Sequence, residues 1–432
     1  MVVAGGVSER PRSDAALHHF PPASLNRYRR YPLSMPRLDY QTAGESHGPA
    51  LVVTVTGLPA GVPVDESFIN AELSRRQGGY GRGGRQGIED DKAEFLTGVR
   101  RGLTIGAPLV MKIINKDSRL DDLKKTPPIH RPRPGHADLA GSIKYLTTDC
   151  RETLERASAR ETASRTAAGA LARCLLREFG IEAFAFVRSI RGITTAAAPT
   201  EATWRDLRLS RDASETYCPD AAASEQQKLA IRAAKLDKDT AGGLIEAHIF
   251  GCMPGLGSCM DWRDRLDARL AYAVMGIQAI KAVEIGMGKA AADLPGSQVH
   301  DPIRYDHARR DTHHALGFSR DTNHAGGTEG GMTNGEPVIV RAAMKPIATL
   351  LRGMPSIDLN TKEPNHSQYE RSDICAVPAA SVVLENVAAF EIARSFCDKF
   401  AGDSLTEVRA QVDAYLKYAR MLPLDPPAMT IA

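Results

Sequence analysis

The clearest helical pattern in this chain is residues 151–180, RETLERASARETASRTAAGALARCLLREFG, and it is followed by IEAFAFVR, residues 181–188. Alanine and leucine favour a helix, and Gly180 is the residue type that most often ends one. An unbroken helix over Arg151–Phe179 and a strand over Ile181–Arg188 are therefore predicted.

Arg156 and Arg160 stand one turn apart in this pattern, so a continuous helix would place them on one face. Only small residues separate them, which favours close approach to a flat or crowded partner. A surface pair between Glu152 and Arg156, worth about a few tenths of a kcal/mol, is the alternative.

Helices and strands follow one another irregularly on both sides of this segment. Strands are predicted at Leu51–Thr56, Glu94–Val99, Pro108–Ile114, Leu244–Gly251 and Pro337–Ala343. Helices are predicted from Asp65 to Arg76, twice within 192–240, and at Asp267–Ala279, Ala379–Ser395 and Ser404–Arg420. Without a steady strand–helix alternation, the pattern argues against a doubly wound parallel sheet and indicates a layered α+β fold.

The composition is that of a globular protein: 432 residues, 43% hydrophobic and 25% charged. A net charge of +3 argues against a nucleic-acid surface spread over the molecule, and no nucleic-acid partner is predicted. Seven cysteines without a CxxC pair argue against a disulfide framework or a zinc site, so no metal and a reducing cytoplasm are predicted. No apolar run reaches the ~18 residues that a membrane span needs.

Residues 1–34 differ from the rest, with five arginines, two acidic residues and no periodic apolar face. They are interpreted as a disordered or transit-like extension, or as sequence upstream of a true start at Met35. The folded domain is predicted to span residues 35–432. Organellar transit by this extension is the alternative to a cytoplasmic location.

Residues 79–84, GYGRGG, formally match GxGxxG, but a helix precedes them and charged residues follow them, which is the wrong context for a dinucleotide fingerprint. The surrounding arginines are more informative, because guanidinium groups bind phosphate and carboxylate with paired hydrogen bonds. They are Arg75, Arg76, Arg82 and Arg85. A solvated loop is one alternative, and RNA binding is disfavoured because Tyr80 is its single aromatic residue.

Two histidines lie in turns of small residues. His47 is found in GESHGPAL, residues 44–51, and His136 ends PRPGH, residues 132–136, beside Arg133. Histidine titrates near neutrality and suits proton transfer, although a single histidine is more often structural.

Residues 323–335, NHAGGTEGGMTNG, contain five glycines ahead of a predicted strand. Such a segment can bind a cofactor ring or a phosphate through backbone N–H groups, and a turn-rich connector is the alternative. Lys345 offers an ammonium group for phosphate. Arg371 and Asp373 form either a local salt bridge or part of a proton-transfer site.

Together these segments resemble the chorismate synthase family. The blocks that carry the resemblance are GESHGPAL at 44–51, RRQGGYGRGGR at 75–85, RPGHADL at 133–139, RASARETASRTAAGA at 156–170, KAVEIGMG at 281–288, NHAGGTEGGMTNGEPVIVRAAMKPIATL at 323–350 and RSDICAVPAASVVLE at 371–385. The match is collinear from about Met35 to the helix near Ser395.

The resemblance implies a lyase that converts 5-enolpyruvylshikimate 3-phosphate to chorismate and phosphate by anti 1,4-elimination. It implies a need for reduced FMN without net redox change, a β-α-β sandwich in one large domain, and a homotetramer. NADPH or an external flavin reductase would supply the reductant, and the second is favoured. A flavin-dependent oxidoreductase with the same pocket is the alternative enzyme.

The resemblance also assigns residue roles. His47 is assigned to the departing phosphate, His136 to the protonation state of the flavin, and Asp373 to removal of the ring proton by way of the flavin. Flavin contacts are assigned to Arg156, Ala157, Ser158, Gln278, Ala279, Gly330, Lys345, Pro346, Ile347, Ala348, Thr349 and Arg371. Substrate or NADP contacts are assigned to Arg76, Arg82, Arg133 and Arg160, with substrate favoured.

Overall fold

The structure is a computed structural model that describes residues 38–83, 89–370 and 372–423. Its helices are α1 Glu66–Gln77, α2 Asp138–Tyr145, α3 Arg151–Arg156, α4 Thr162–Arg177, α5 Trp204–Asp212, α6 Ala221–Leu236, α7 Leu266–Met275, α8 Gly296–Val299, α9 Val377–Lys399 and α10 Leu405–Arg420. Its strands are β1 Asp39–Ala43, β2 Ala50–Thr56, β3 Glu94–Thr97, β4 Val99–Arg100, β5 Leu103–Thr104, β6 Leu109–Ile114, β7 Glu182–Ile190, β8 Ile193–Thr194, β9 Gly243–Phe250, β10 Ile280–Ile285, β11 Ile303–Tyr305, β12 Phe318–Arg320, β13 Thr328–Glu329, β14 Met332–Thr333, β15 Val338–Met344, β16 Pro355–Ile357 and β17 Pro364–His366.

The first sheet has the order β1-β2-β6-β3, and all of its neighbouring strands are antiparallel. Every second side chain of β2 is buried, namely Leu51, Val53 and Val55. This alternation places one face of the sheet against the core. α4 packs on that face, where it contacts β1, β2 and β6.

The second sheet has the order β10-β15-β9-β7-β8 and is also antiparallel. Its central strands are covered on both faces. α9 packs on β7 and β9, while a separate cluster of Phe184, Phe186, Phe250 and Trp204 lies apart from the main core. Burial on both faces explains why residues 181–188 read as a nearly continuous apolar run.

Helices α1, α4 and α9 lie between the two sheets and pack against one another. In α9, 20 of 23 residues are buried, and in α4, 14 of 16 are buried. A helix that is buried on every side belongs in the middle of a layered domain. The fold is therefore a β-α-β sandwich in one compact unit, and the predicted α+β class is confirmed.

The predicted unbroken helix over Arg151–Phe179 is wrong in its middle. α3 ends at Arg156, a 3₁₀ turn occupies Ala159–Glu161, and α4 begins at Thr162. Ser158 adopts an extended backbone (φ −63°, ψ 142°), and its hydroxyl accepts a hydrogen bond from the N–H of Arg160. Serine competes with the helical backbone in this way, and that breaks the helix. Arg156 and Arg160 consequently do not share a face: Arg156 is exposed and Arg160 is buried.

Other elements escaped prediction. β1, β10 and α2 were not anticipated, and four short strands, β11 to β14, lie in the 286–336 region that was interpreted as loops. The helix predicted to reach Ala279 ends at Met275, and Ala279 takes a positive φ of 66° as the chain turns into β10. None of the helices in the described ranges is both long and apolar enough to cross a membrane.

Gly169 lies where α4 approaches α9 closely, and we expect its replacement by alanine to destabilise the fold. A Cβ atom at this position would lie 2.2 Å from the backbone oxygen of Asn386. The two helices would have to separate, at a cost of about 1–3 kcal/mol, which exceeds the gain of roughly 1 kcal/mol in helix propensity. Denaturant unfolding should show a lower midpoint for Gly169→Ala with an unchanged slope. A higher midpoint would contradict the packing.

Candidate active site

A cavity of about 360 Å³ gathers residues that lie far apart in the sequence. Its walls come from the end of α1, the turn before α2, the break between α3 and α4, the segments after α7 and β15, and the start of α9. Alanines at 376, 379 and 380 provide an apolar wall. Ligand pockets of proteins have volumes of roughly 300–1,000 Å³, so this cavity can hold a small ligand.

Most of the predicted site residues line this cavity. From the proton-transfer set it contains His136 and Asp373, from the flavin set Ala157, Ser158, Gln278, Ala279, Lys345, Ile347, Ala348 and Thr349, and from the substrate set Arg76, Arg82, Arg133 and Arg160. The fold therefore brings together three groups of residues that the sequence could only assign separately.

Arg76 and Arg160 are held side by side by one buried carboxylate. Asp91 accepts a hydrogen bond of 2.7 Å from Nη2 of Arg76 and another of 2.6 Å from Nη1 of Arg160. Nε of Arg160 also donates to the Asn115 side chain at 2.8 Å. Burial lowers the pKa of Arg76 to about 10, which leaves the guanidinium charged at neutral pH.

Arg82 and Asp373 form a second pair in the cavity wall. Nη1 of Arg82 lies 2.5 Å from Oδ2 of Asp373, and the backbone N–H of Gly83 donates to Oδ1 at 2.7 Å. Arg371, the local salt-bridge partner considered for Asp373, lies outside the described residues, so that alternative stays a prediction. Asp373 is thus held by Arg82 and Gly83, and Gly83 lies 290 residues away in the sequence.

His136 belongs to a compact cluster with Arg133 and Asp138. Arg133 donates to Asp138 from Nε at 2.8 Å and from Nη2 at 3.1 Å, and to the Thr349 hydroxyl from Nη1 at 2.8 Å. Nδ1 of His136 makes a short contact with Asp138. Burial opposes ionisation of Asp138, but hydrogen bonds from His136 and Arg133 hold its pKa well below the usual range. Nε2 is therefore the ring nitrogen of His136 that is left for proton transfer.

Several buried polar atoms of this cavity have no hydrogen-bond partner among the described residues. They are Nε of Arg76, Nε of Arg82, Nη2 of Arg160 and Oε1 of Gln278. Lys345 adds a further cation, whose pKa is lowered by burial and by Lys281. Unpaired buried donors are costly, and the three arginine nitrogens among these atoms favour an anionic ligand in this cavity.

His47 does not line this cavity, but its neighbour in the chain contacts a residue that does. The side chain is 10% exposed, and Nδ1 is 2.8 Å from Oε2 of Glu155. The preceding residue, Ser46, contacts the hydroxyl of Ser158 at 3.1 Å, and Ser158 does line the cavity. His47 is therefore buried and hydrogen-bonded, one contact away from the other predicted groups.

The remaining predicted contacts are separated from the cavity or undescribed. Arg156 is exposed and donates to the backbone oxygens of Thr42 and Gly44. Pro346 is exposed, and Gly330 lies near Cys259 and Met332. The next residue, Gly331, contacts Arg265 just before α7, whereas Gln278 follows the other end of that helix. α7 has ten residues and so spans roughly 15 Å. Arg371 and Arg85 lie outside the described residues.

Sequence reasoning missed the acidic residues that position these groups. Asp91 lies in the charged run at 90–92, and Asp138 lies two residues after His136 in the block RPGHADL. Glu155 lies one residue before Arg156 and was not considered. Asp91 and Asp138 could have been found as acidic residues close in sequence to a predicted site. No residue near Glu155 in the sequence indicated that it contacts His47.

Comparison with known proteins assigns the class. The family model for chorismate synthase matches residues 38–397. Chorismate synthases from Desulforamulus reducens and Geobacter sulfurreducens are 50% identical over 394 residues and 51% identical over 397 residues. Each alignment covers 89% of this chain and at least 99% of the relative. A crystal structure of chorismate synthase superimposes with a TM-score of 0.73 at 37% identity, over 89% of this chain and 99% of that one.

These matches define a carbon–oxygen lyase that acts on a phosphate ester. The chain belongs to the chorismate synthase family. The reaction of that family converts 5-enolpyruvylshikimate 3-phosphate to chorismate and phosphate, and it is the activity of this protein. The oxidoreductase alternative has no support from these matches.

Proposed function

We propose that this chain performs the chorismate synthase reaction in the arginine-lined cavity, as an anti 1,4-elimination with reduced FMN and no net redox change. The observation that carries the proposal is the convergence of Arg76, Arg82, Arg133 and Arg160 with His136 and Asp373 on one cavity that has an apolar wall. The substrate has two carboxylates and a phosphate, and such a trianionic compound needs several guanidinium groups.

The cavity residues fit reduced FMN in two respects. The alanine wall suits a flat ring, and Gln278 offers an unpaired buried acceptor for a ring N–H group. The residues that would hold the flavin are Ala157, Ser158, Gln278, Ala279 and the 345–349 segment, together with Arg371. The Thr349 hydroxyl already accepts from Arg133, so this segment would offer mainly backbone groups. When bound, reduced FMN supplies electron density to the substrate without being consumed.

Arg76 and Arg82 could serve the substrate or a bound NADP, and we favour the substrate. Arg76 shares Asp91 with Arg160, so both guanidinium groups face the same ligand. Arg82 is paired with Asp373, and this pairing keeps a proton acceptor beside the bound anion. Cations around the departing phosphate stabilise the charge that develops on it.

Three side chains are proposed to hold or move protons. His136 has Nδ1 engaged by Asp138, which leaves Nε2 for the flavin side of the cavity. Asp373 is proposed to act in removal of the ring proton. His47 is proposed to stabilise the departing phosphate from behind Ser158, and that role requires the wall between them to open or the substrate to reach past it.

A homotetramer is proposed as the working assembly. The proposal is supported by Gly330, which the resemblance assigns to the flavin although it does not line the cavity of its own chain. If a second copy of the chain presents its Gly330 to this cavity, Gly330 and the cavity residues can all contact the same flavin. Sedimentation of the FMN-bound protein should give a tetramer, and a Gly330 variant should weaken FMN binding without altering the monomer fold.

A cytoplasmic location, with an external source of reduced flavin, is also proposed. All seven cysteines are free thiols, and Cys259 alone among them is exposed. Such thiols are typical of a reducing compartment. NADPH remains the competing reductant, because the family includes both modes of flavin reduction.

The test is an anaerobic assay of the purified chain with 5-enolpyruvylshikimate 3-phosphate and chemically reduced FMN. We expect chorismate and phosphate to appear in equal amounts, and neither to appear with oxidised FMN. Replacing the chemical reductant with NADPH and oxidised FMN tests self-reduction. Absence of product from folded protein that binds FMN would overturn the proposal.

A further inference from the structure

Glu155 is the residue that fixes His47 in place. Its carboxylate is 1% exposed, and Oε2 accepts from the backbone N–H of His47 at 2.9 Å and lies 2.8 Å from Nδ1 of the ring. The backbone oxygen of Glu155 accepts from the N–H of Ser46 at 3.2 Å. One residue at the end of α3 therefore holds both the loop and the imidazole of the predicted catalytic histidine.

We propose that Glu155 is a positioning residue that holds His47 in the tautomer with its proton on Nδ1, so that Nε2 is the nitrogen that acts on the substrate. The proposal rests on the catalytic role given to His47 above. It concerns a residue that the sequence did not single out and that does not itself touch the cavity.

The charge state of Glu155 supports this assignment of the proton. Burial opposes its ionisation, but hydrogen bonds from His47, with the charges of His47 and Arg151, hold the pKa of Glu155 below its usual range. An ionised carboxylate can only accept hydrogen bonds, so Nδ1 must be the donor. In a neutral imidazole Nε2 then carries the lone pair, so it is the nitrogen that takes up the proton which the imidazolium donates to the departing phosphate.

Arg151 holds the carboxylate from the other side. Its Nη1 lies 3.3 Å from Oε1 of Glu155, and Nη2 donates to the backbone oxygen of Pro127 at 2.9 Å and to Glu370 at 3.2 Å. The arginine is thus anchored at two further points. Because Glu155 is held by a fixed cation, it cannot rotate away from His47 without breaking a buried ion pair.

The other ring nitrogen is not engaged in the same way. Nε2 of His47 lies 3.5 Å from Nη2 of Arg119 and 3.6 Å from Oδ2 of Asp117, both longer than a normal hydrogen bond. A donor and an acceptor thus stand at nearly equal distances from Nε2, and neither holds it. A strongly held Nδ1 and a weakly held Nε2 are what a positioned acid–base histidine requires.

The experiment compares Glu155→Gln with Glu152→Gln, an exposed glutamate on the same helix. The first readout is the tautomer of His47, which histidine-selective ¹⁵N NMR measures. The signal of His47 is identified as the one that is lost in His47→Ala. The second is steady-state kinetics with reduced FMN. For Glu155→Gln we expect a mixed tautomer and a kcat lower by about 10-fold or more, with KM nearly unchanged, because an imidazole in the wrong tautomer loses acid–base help. Glu152→Gln should match the wild type in both.

A normal tautomer in Glu155→Gln would overturn the proposal, whether or not kcat fell, since a loss of rate would then arise from packing. A mixed tautomer with normal kcat would also overturn the proposal, because the tautomer of His47 would then have no effect on turnover. Failure of the proposed function gives a different result: His47→Ala would keep full turnover while the tautomer still depended on Glu155. If Glu155→Ala fails to fold, the isosteric glutamine variant still decides the question.

Discussion

His47→Ala and His136→Ala are each expected to lower kcat by ~10²-fold or more, the usual scale of lost acid–base help. His136 lines the cavity with Nδ1 held by Asp138, and His47 is held by Glu155 behind Ser158. Both lie outside helices and strands, so the fold should survive. The measurement is kcat under anaerobic conditions with reduced FMN, alongside circular dichroism.

The control for both variants is His300→Ala, because His300 is exposed and does not line the cavity. It should retain normal turnover. His47→Ala should also lose a little stability, because Glu155 is left with one buried hydrogen bond fewer, at a cost of about 1–3 kcal/mol. Near-normal turnover in both histidine variants would remove the two histidines from the reaction.

Glu385→Ala is expected to lower the free energy of unfolding by about 3–5 kcal/mol, the scale for breaking a buried ion pair. Glu385 is 1% exposed and lies 2.9 Å from Nη2 of Arg75, 2.8 Å from Nη1 of Arg211 and 3.0 Å from Nη2 of Arg173. Its removal would leave buried guanidinium groups without this counter-charge. Chemical denaturation measures the loss, and Glu225→Ala, at an exposed position of α6, should change stability by less than about 0.5 kcal/mol.

The same cluster predicts how stability responds to acid. Burial raises the pKa of Glu385, but the charges of Arg75, Arg211 and Arg173 outweigh it and lower the pKa below that of a free glutamate. A group with a lowered folded-state pKa stabilises the fold above its unfolded pKa, roughly 4.3, and loses this contribution as pH falls through the folded value. Glu385→Ala should therefore reduce the fall in stability below about pH 4. An unchanged acid profile would contradict the ion pairing.

Local patterns were sufficient for much of the secondary structure and for the family. Asp65 caps α1 as predicted, β2 alternates as predicted, and α9 and α10 fall within a few residues of their expected bounds. These features depend on residues close together in the chain, and that makes them readable from sequence. The unbroken helix predicted over Arg151–Phe179 was wrong at Ser158. The segment is rich in helix-favouring residues, but the Ser158 hydroxyl accepts a hydrogen bond from the nearby backbone and interrupts the helix.

The sequence by itself determined the residue types of the site, the seven ordered blocks that identify the family, and the α+β class. Only the tertiary structure decided which charges neutralise one another. Asp91 joins Arg76 to Arg160, Glu155 holds His47 across 108 residues, and Asp373 meets Arg82 across 291 residues. Such pairs depend on how distant segments meet around the helices between the two sheets, and hydrogen bonds over these separations leave no periodic pattern in the sequence.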